Sequence, residues 1–331
     1  MGHIQSNQQS ETIVMNLGKQ SRFHPQHPLW YEDLAPRSSP IDEDQDFDGA
    51  CFNEDVTVVD ENYMEISRES SFMRGGGILF AIMLFSVYGW NLVPDIFRPG
   101  FSWFQPSLLI GILSLCLAMA SIVLTLKLLY LDLRLPRDTP IRFNRKTQKI
   151  YVYEFVKPKY WFQLWRTEIK VHDWNCIEAE LIKIAGYTGK AYVVRHELLL
   201  VVCRPGTNEV VDRISLKGLE PLDAILAEMW AGVRRFMEAG PDAVPGIETK
   251  VREIGFLYSL FAYMPYLSPS EAGIRFRNSM RWYDWALACI SIWFFWLWFP
   301  LGICHHFAIS CAPEPQWPTG IDAESRSLQS P

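Results

Sequence analysis

Carboxylates, histidines and cysteines that fall close together are the first residues to weigh for chemistry. In DEDQDFDGACFNED, Asp44, Asp46, Asp48 and Gly49 follow the first half of a calcium loop, and Asp55 stands where such a loop places its last carboxylate. The flanks SSPI and VTVVDENY lack the helical pattern of an EF-hand, so the segment reads as a solvated acidic linker and no metal is assigned. CHHFAISC, Cys304 to Cys311, offers soft metal ligands or a pair of oxidisable thiols. Adjacent histidines share one ion poorly, and filler in an aromatic belt is the expected role. The remaining histidines have no partner at a triad or metal-helix spacing. His172-Asp173 and His196-Glu197 are neighbours in expected strands, where successive side chains point to opposite faces. No Gly-rich phosphate loop, GxSxG or HExxH occurs. The expectation is a protein that is not an enzyme and takes no cofactor. A fourth cluster, Arg142, Arg145, Lys146 and Lys149, is a candidate lipid-facing or partner-facing surface, or a topological signal beside a membrane span.

These candidates sit in a segregated chain. Residues 1–60 are acidic and 127–281 mildly basic, so the net charge of −6 is an acidic tail on a basic body. The basic part lacks the dense clustering with interleaved aromatics that nucleic acid requires. The seven cysteines contain no CxxC pair, as expected of a chain whose bulk faces a reducing compartment. No N-terminal signal peptide is expected either.

Three apolar runs, 76–97, 106–131 and 282–309, approach or exceed the ~20 residues that cross a hydrocarbon core. Arg68 and Arg74, the basic run after the second, and Arg275, Arg277 and Arg281 would all lie on the cytoplasmic side by the positive-inside rule. Between the spans, β-branched and aromatic runs separated by GYTGK and RPGTN turns predict an antiparallel meander of about six strands. EPLDAILAEMWAGVRRFMEAG, 220–240, then changes to a helical period.

The expected fold class is therefore three membrane helices plus an α+β cytoplasmic domain of pleckstrin-homology-like form. Its parts are a disordered acidic region (1–74), a transmembrane hairpin (75–131), the β-domain (132–245), interfacial or linker helices (246–281), a third span (282–309) and a disordered periplasmic tail (310–331).

PIRFNRKTQKIYVYEF after a hairpin, VVCRPGTNEVVDR, MEAGPDAVPG and a Trp-rich final span resemble an uncharacterised family of bacterial inner-membrane proteins, over about residues 70–318. Genes of that family often lie near type VI secretion components and toxic effectors. The resemblance implies an immunity or accessory protein that binds and neutralises a secreted toxin, with membrane lipid as its surroundings and no catalytic residues to carry over. A lipid or signal sensor, or a component of an oligomeric channel, are the other classes. Oligomeric state is left open.

Overall fold

The computed structural model describes residues 20–40, 49–52, 55–68, 74–96, 108–156, 159–160, 163, 166–187, 192–247, 249 and 255–326. The chain divides into two compact units. One takes Met1–Arg68, Thr139–Lys250 and Trp317–Pro331; the other takes Glu69–Asp138 and Val251–Gln316.

Among the described residues the first unit is built on nine strands: β1 (Trp30–Asp33), β2 (Val56–Val59), β3 (Tyr63–Ile66), β4 (Ile141–Asn144), β5 (Lys149–Val156), β6 (Arg166–Asp173), β7 (Ile177–Tyr187), β8 (Tyr192–Cys203) and β9 (Val210–Glu220). They form two antiparallel sheets, ordered β1-β7-β8-β9 and β2-β3-β4-β5-β6. The pleckstrin-homology-like single bent sheet is thereby corrected. A 3-10 turn at Trp174–Cys176 redirects the chain between β6 and β7, so these consecutive strands belong to different sheets. Three strands come from 1–74, the region expected to be disordered. The alternation in VTVVDENYMEIS is enough to pair β3 with β4, and acidic composition had masked it.

Period-two patterning decides which residues enter the core. Met64 and Ile66 on β3, Ile141 and Phe143 on β4, and Ile150 and Val152 on β5 all join it. Helix α3 (Asp223–Ala239) closes it with Leu226, Met229, Trp230, Val233, Phe236 and Met237. Trp174 and Trp230 meet at the centre with ring centroids 5.6 Å apart. Burial of these two indoles and their neighbours supplies several kcal/mol, at roughly 25 cal/mol per Å² of apolar surface.

The second unit is helical. It contains α1 (Gly76–Ile96), α2 (Leu108–Arg134), α4 (Phe256–Phe261), α5 (Glu271–Ser279), α6 (Trp282–Ile292) and α7 (Phe295–Cys311). Helices α1 and α2 pack as a pair; a Cβ on Gly77 would stand 2.6 Å from the Leu128 carbonyl oxygen, so only glycine permits the approach. Its open end is fastened twice. Asp132 Oδ2 accepts from Ile78 N at 2.9 Å, capping α1, while the buried Arg74 guanidinium donates to the Leu135 carbonyl at 3.0 Å and to that of Pro136, capping α2. Arg137 does the same for α7, donating to Ile309 O at 2.7 Å and Ser310 O at 3.3 Å. Arginines that read as topological charges thus satisfy helix C-termini.

The three-span architecture is also corrected. Among the described residues no single helix is long and apolar enough to cross a membrane. The expected third span is broken into α6 and α7, which are bent by 84°. Three-residue hydrogen bonds, Trp293 N to Ile290 O and Phe294 N to Ser291 O, end α6, and the Phe294 carbonyl then starts α7. The tail, expected to be disordered, contains α8 (Thr319–Arg326), which belongs to the first unit.

Candidate binding surface

The face of the five-stranded sheet turned away from the core carries the polar half of the alternation. Two cross-strand rows run over it, Glu65-Arg142-Tyr151 and Tyr63-Asn144-Lys149. A polar sheet face is ordinarily solvated, but this one is covered by Trp317 and α8. Trp317 Nε1 donates to Glu65 Oε2 at 3.0 Å, and its ring meets Tyr153 edge-on at 5.8 Å. Tyr151 Oη and Lys149 Nζ donate to the two oxygens of Glu324 at 2.9 and 3.2 Å, and Asn144 Nδ2 donates to Ser325 Oγ at 3.3 Å.

Arg142 is the centre of this arrangement. Its side chain is 3% exposed, yet every nitrogen of the guanidinium has a partner. Nε and Nη2 face Glu65 Oε2 at 3.2 and 3.1 Å, and Nη1 reaches Asp322 Oδ1 at 2.8 Å and Ser325 Oγ at 3.3 Å. Its Cζ lies over the rings of Tyr63 and Trp317, 4.5 and 4.6 Å from their centroids. A buried charge survives only when it is paired and hydrogen-bonded, and here aromatic faces complete the solvation. The tail supplies two acids and the sheet two bases. The outer pair feels the same charge pattern: the hydrogen bond to Glu324, then its charge, holds Lys149 above its ordinary value, and hydrogen bonds from Tyr151 and Lys149 hold Glu324 below the ordinary carboxylate range.

The four basic residues singled out in the sequence therefore do not form one surface. Arg142 is enclosed under the tail and Lys149 is paired to it. Arg145 and Lys146 lie in the β4–β5 turn, beside a shallow, open depression of about 320 Å³ lined also by Glu61, Asn62, Gln148, Met237 and Glu238. Both signs of charge border it, and Arg145 Nη2 donates to the Glu238 carbonyl at 3.3 Å. That mixture is not a phosphate cradle.

Of the calcium candidates, Asp44, Asp46 and Asp48 lie outside the described residues. Asp55 pairs with Lys217 and so ties the segment before β2 to β9. His305 and His306 pack edge-on against Tyr263 and Phe256, at 5.4 and 5.3 Å. Cys304 is buried and Cys311 exposed, about 10 Å apart along the helix by its 1.5 Å rise per residue, too far to bond. His196 is buried against Tyr31 at 4.9 Å with neither ring nitrogen bonded, and burial pushes the Cys203 thiol up to about 11. Among the described residues no group of three His, Cys, Asp or Glu could hold a metal.

Glu65, Trp317, Asp322, Glu324 and Ser325 were missed in the sequence. The available signal was a lone tryptophan followed by proline and an acidic helical stretch, WPTGIDAESR, inside an otherwise polar tail.

The helical unit presents the opposite chemistry. Phe85, Trp90, Leu126, Trp282, Ile290, Trp293 and Phe295 are exposed, Trp90 by 84% and Trp282 and Trp293 by 81% each. Arg275, Arg277 and Arg281 stand directly before the aromatic start of α6.

No curated protein and no solved structure matches the chain. A family match covers residues 117–329, from within α2 to beyond α8. With that match over more than half of its length, the chain belongs to the family of unknown function DUF6708.

Proposed function

We propose that the chain is a membrane-associated binding protein without catalysis of its own, whose helical unit meets lipid and whose β unit meets a protein. The observation that carries the reading is the apolar surface of the helical unit. Scattered apolar residues are normal on a protein surface, but so many large aromatic and aliphatic side chains exposed on four helices of one unit favour a lipid or protein contact. Lipid is favoured by the position of Trp282, Tyr283 and Trp285 immediately after three arginines, the arrangement of a membrane–water interface. The reading assigns no number of spans. Docking of α8 on the β unit supports a tail that lies on the same side of a bilayer as that unit.

Absence of catalysis is supported by the state of the candidate groups. The Cys203 thiol is driven away from its reactive form, and His196 has no hydrogen-bonded acid. The resemblance given above supports an immunity or accessory role toward a secreted antibacterial toxin, with the effector or a secretion component as the partner.

The test is flotation of the full-length protein with vesicles of phosphatidylethanolamine and phosphatidylglycerol. Co-flotation that survives a high-salt wash is the expected result. A protein that stays at the bottom of the gradient as a discrete oligomer would show that chain–chain packing covers the apolar surface, and would overturn the lipid assignment.

A further inference from the structure

We infer that the outer face of the five-stranded sheet is a recognition surface for an acidic helical segment led by tryptophan, presented by a partner protein, and that the chain's own tail occupies it in the unpartnered state. The inference deepens the binding reading above and rests on it.

The slot is chemically specific. Arg142 takes a second aromatic ring besides Tyr63, which Trp317 supplies, and an acid at its Nη1, which Asp322 supplies. Tyr151 and Lys149 need one further carboxylate, and Glu324 fits both. Read as spacing, the ligand is an aromatic residue followed by Asp five positions on, Glu seven on and a small hydroxyl residue eight on. Asp322 and Ser325, three residues apart, share one helical face and meet the same nitrogen.

The tail is separable from the fold it covers. No residue of Trp317–Arg326 belongs to the main hydrophobic core, so its departure leaves the two sheets and α3 packed. Eight residues are too few for a helix to be stable in water, so α8 owes its order to docking, as an exchangeable segment does. It reaches the sheet through APEPQWP, which has no regular secondary structure and carries three prolines. Its ties are mostly ionic and polar, the kind that a competing acidic segment reproduces.

The test uses the full chain in detergent, so that its outcome does not depend on vesicle binding. Substituting Trp317→Ala, Asp322→Ala and Glu324→Ala loosens the tail without altering the sheet. A fluorescent peptide of residues 315–331 is then titrated by anisotropy. Expected is binding at least tenfold tighter to the loosened chain than to wild type, lost at least tenfold when Arg142→Ala is added or when the peptide's tryptophan is alanine. Equal binding to wild type and loosened chain, or insensitivity to Arg142→Ala, would overturn the inference. A chain ending at Gln316 serves as the second variant. If both it and the loosened chain lose cooperative unfolding, the tail is an integral element and the inference fails. Mixed dimers formed by tail exchange between wild-type copies would make a second copy the ligand and overturn the partner assignment.

Discussion

Arg142 and Asp322 stand 2.8 Å apart across 180 residues of sequence, and this pair ties the C-terminal helix to the middle of a sheet. Its other partners, Glu65 on the sheet and Trp317 in the tail, make the guanidinium a bridge between strands and tail.

Replacing Arg142 by Met keeps the stem and removes the charge. Glu65 and Asp322 then face each other without a cation, and loss of one partner from a buried pair typically costs about 3–5 kcal/mol. Because Asp322 is partly exposed, the low end of that range is expected. Urea unfolding reads the stability, and hydrogen exchange of 319–326 should rise at least tenfold. Unchanged exchange there would show that the pair does not hold the tail.

Docking should depend on pH at both ends. Glu324 is lowered, so its contribution is complete above the ordinary carboxylate value of about 4.3 and is lost as pH falls through the depressed value. Lys149 is raised, so its contribution is complete below about 10.4 and is lost as pH rises through the raised value. Tail protection measured against pH should therefore show a plateau between these limits. Glu324→Gln should flatten the acid limb, while a limb that persists would assign it to another carboxylate.

Gly302 lets α7 approach α4, since a Cβ there would lie 2.6 Å from the Leu260 carbonyl oxygen. Backbone cannot retreat as a flexible side chain does. Gly302→Ala should cost about 1–3 kcal/mol, the range for overpacking, and lower the melting temperature in detergent. Gly320→Ala has nothing within 4 Å of its added Cβ and is the control. Equal melting temperatures for the two variants would contradict the close packing.

The two cysteines of α7 should behave differently toward a thiol reagent. Cys311 is exposed and Cys304 buried, so native labelling should modify Cys311 and leave Cys304 until denaturation. Oxidant should give no bond between them, read by mass spectrometry. An intramolecular Cys304–Cys311 bond would require α7 to be unwound.

Much of the β unit was legible. Strands β4 to β9 fall on their β-branched and aromatic runs, and α3 on its helical period, because each has a buried face that imposes a strict spacing of apolar residues. Strands β1 to β3 were hidden because strands of only four residues need only two or three inward residues, too few to stand out against acidic neighbours. The candidate site was the least legible part. Arg142 was singled out for its charge, but the partners that define its role, Glu65 and Asp322, lie 77 and 180 residues away.

What the sequence by itself determined is the local period: which stretches alternate, which are helical, and where apolar runs concentrate. Period is set by neighbours a few residues apart, and a single chain records it directly. Tertiary structure alone decided that the strands divide into two sheets, that the last apolar run breaks into two helices, and that Arg74 and Arg137 cap helix ends. It also decided that an acidic tail is the cover of a basic sheet face. Those outcomes depend on which distant groups satisfy a buried charge or an open carbonyl, a condition set by burial and geometry that no spacing along the chain encodes.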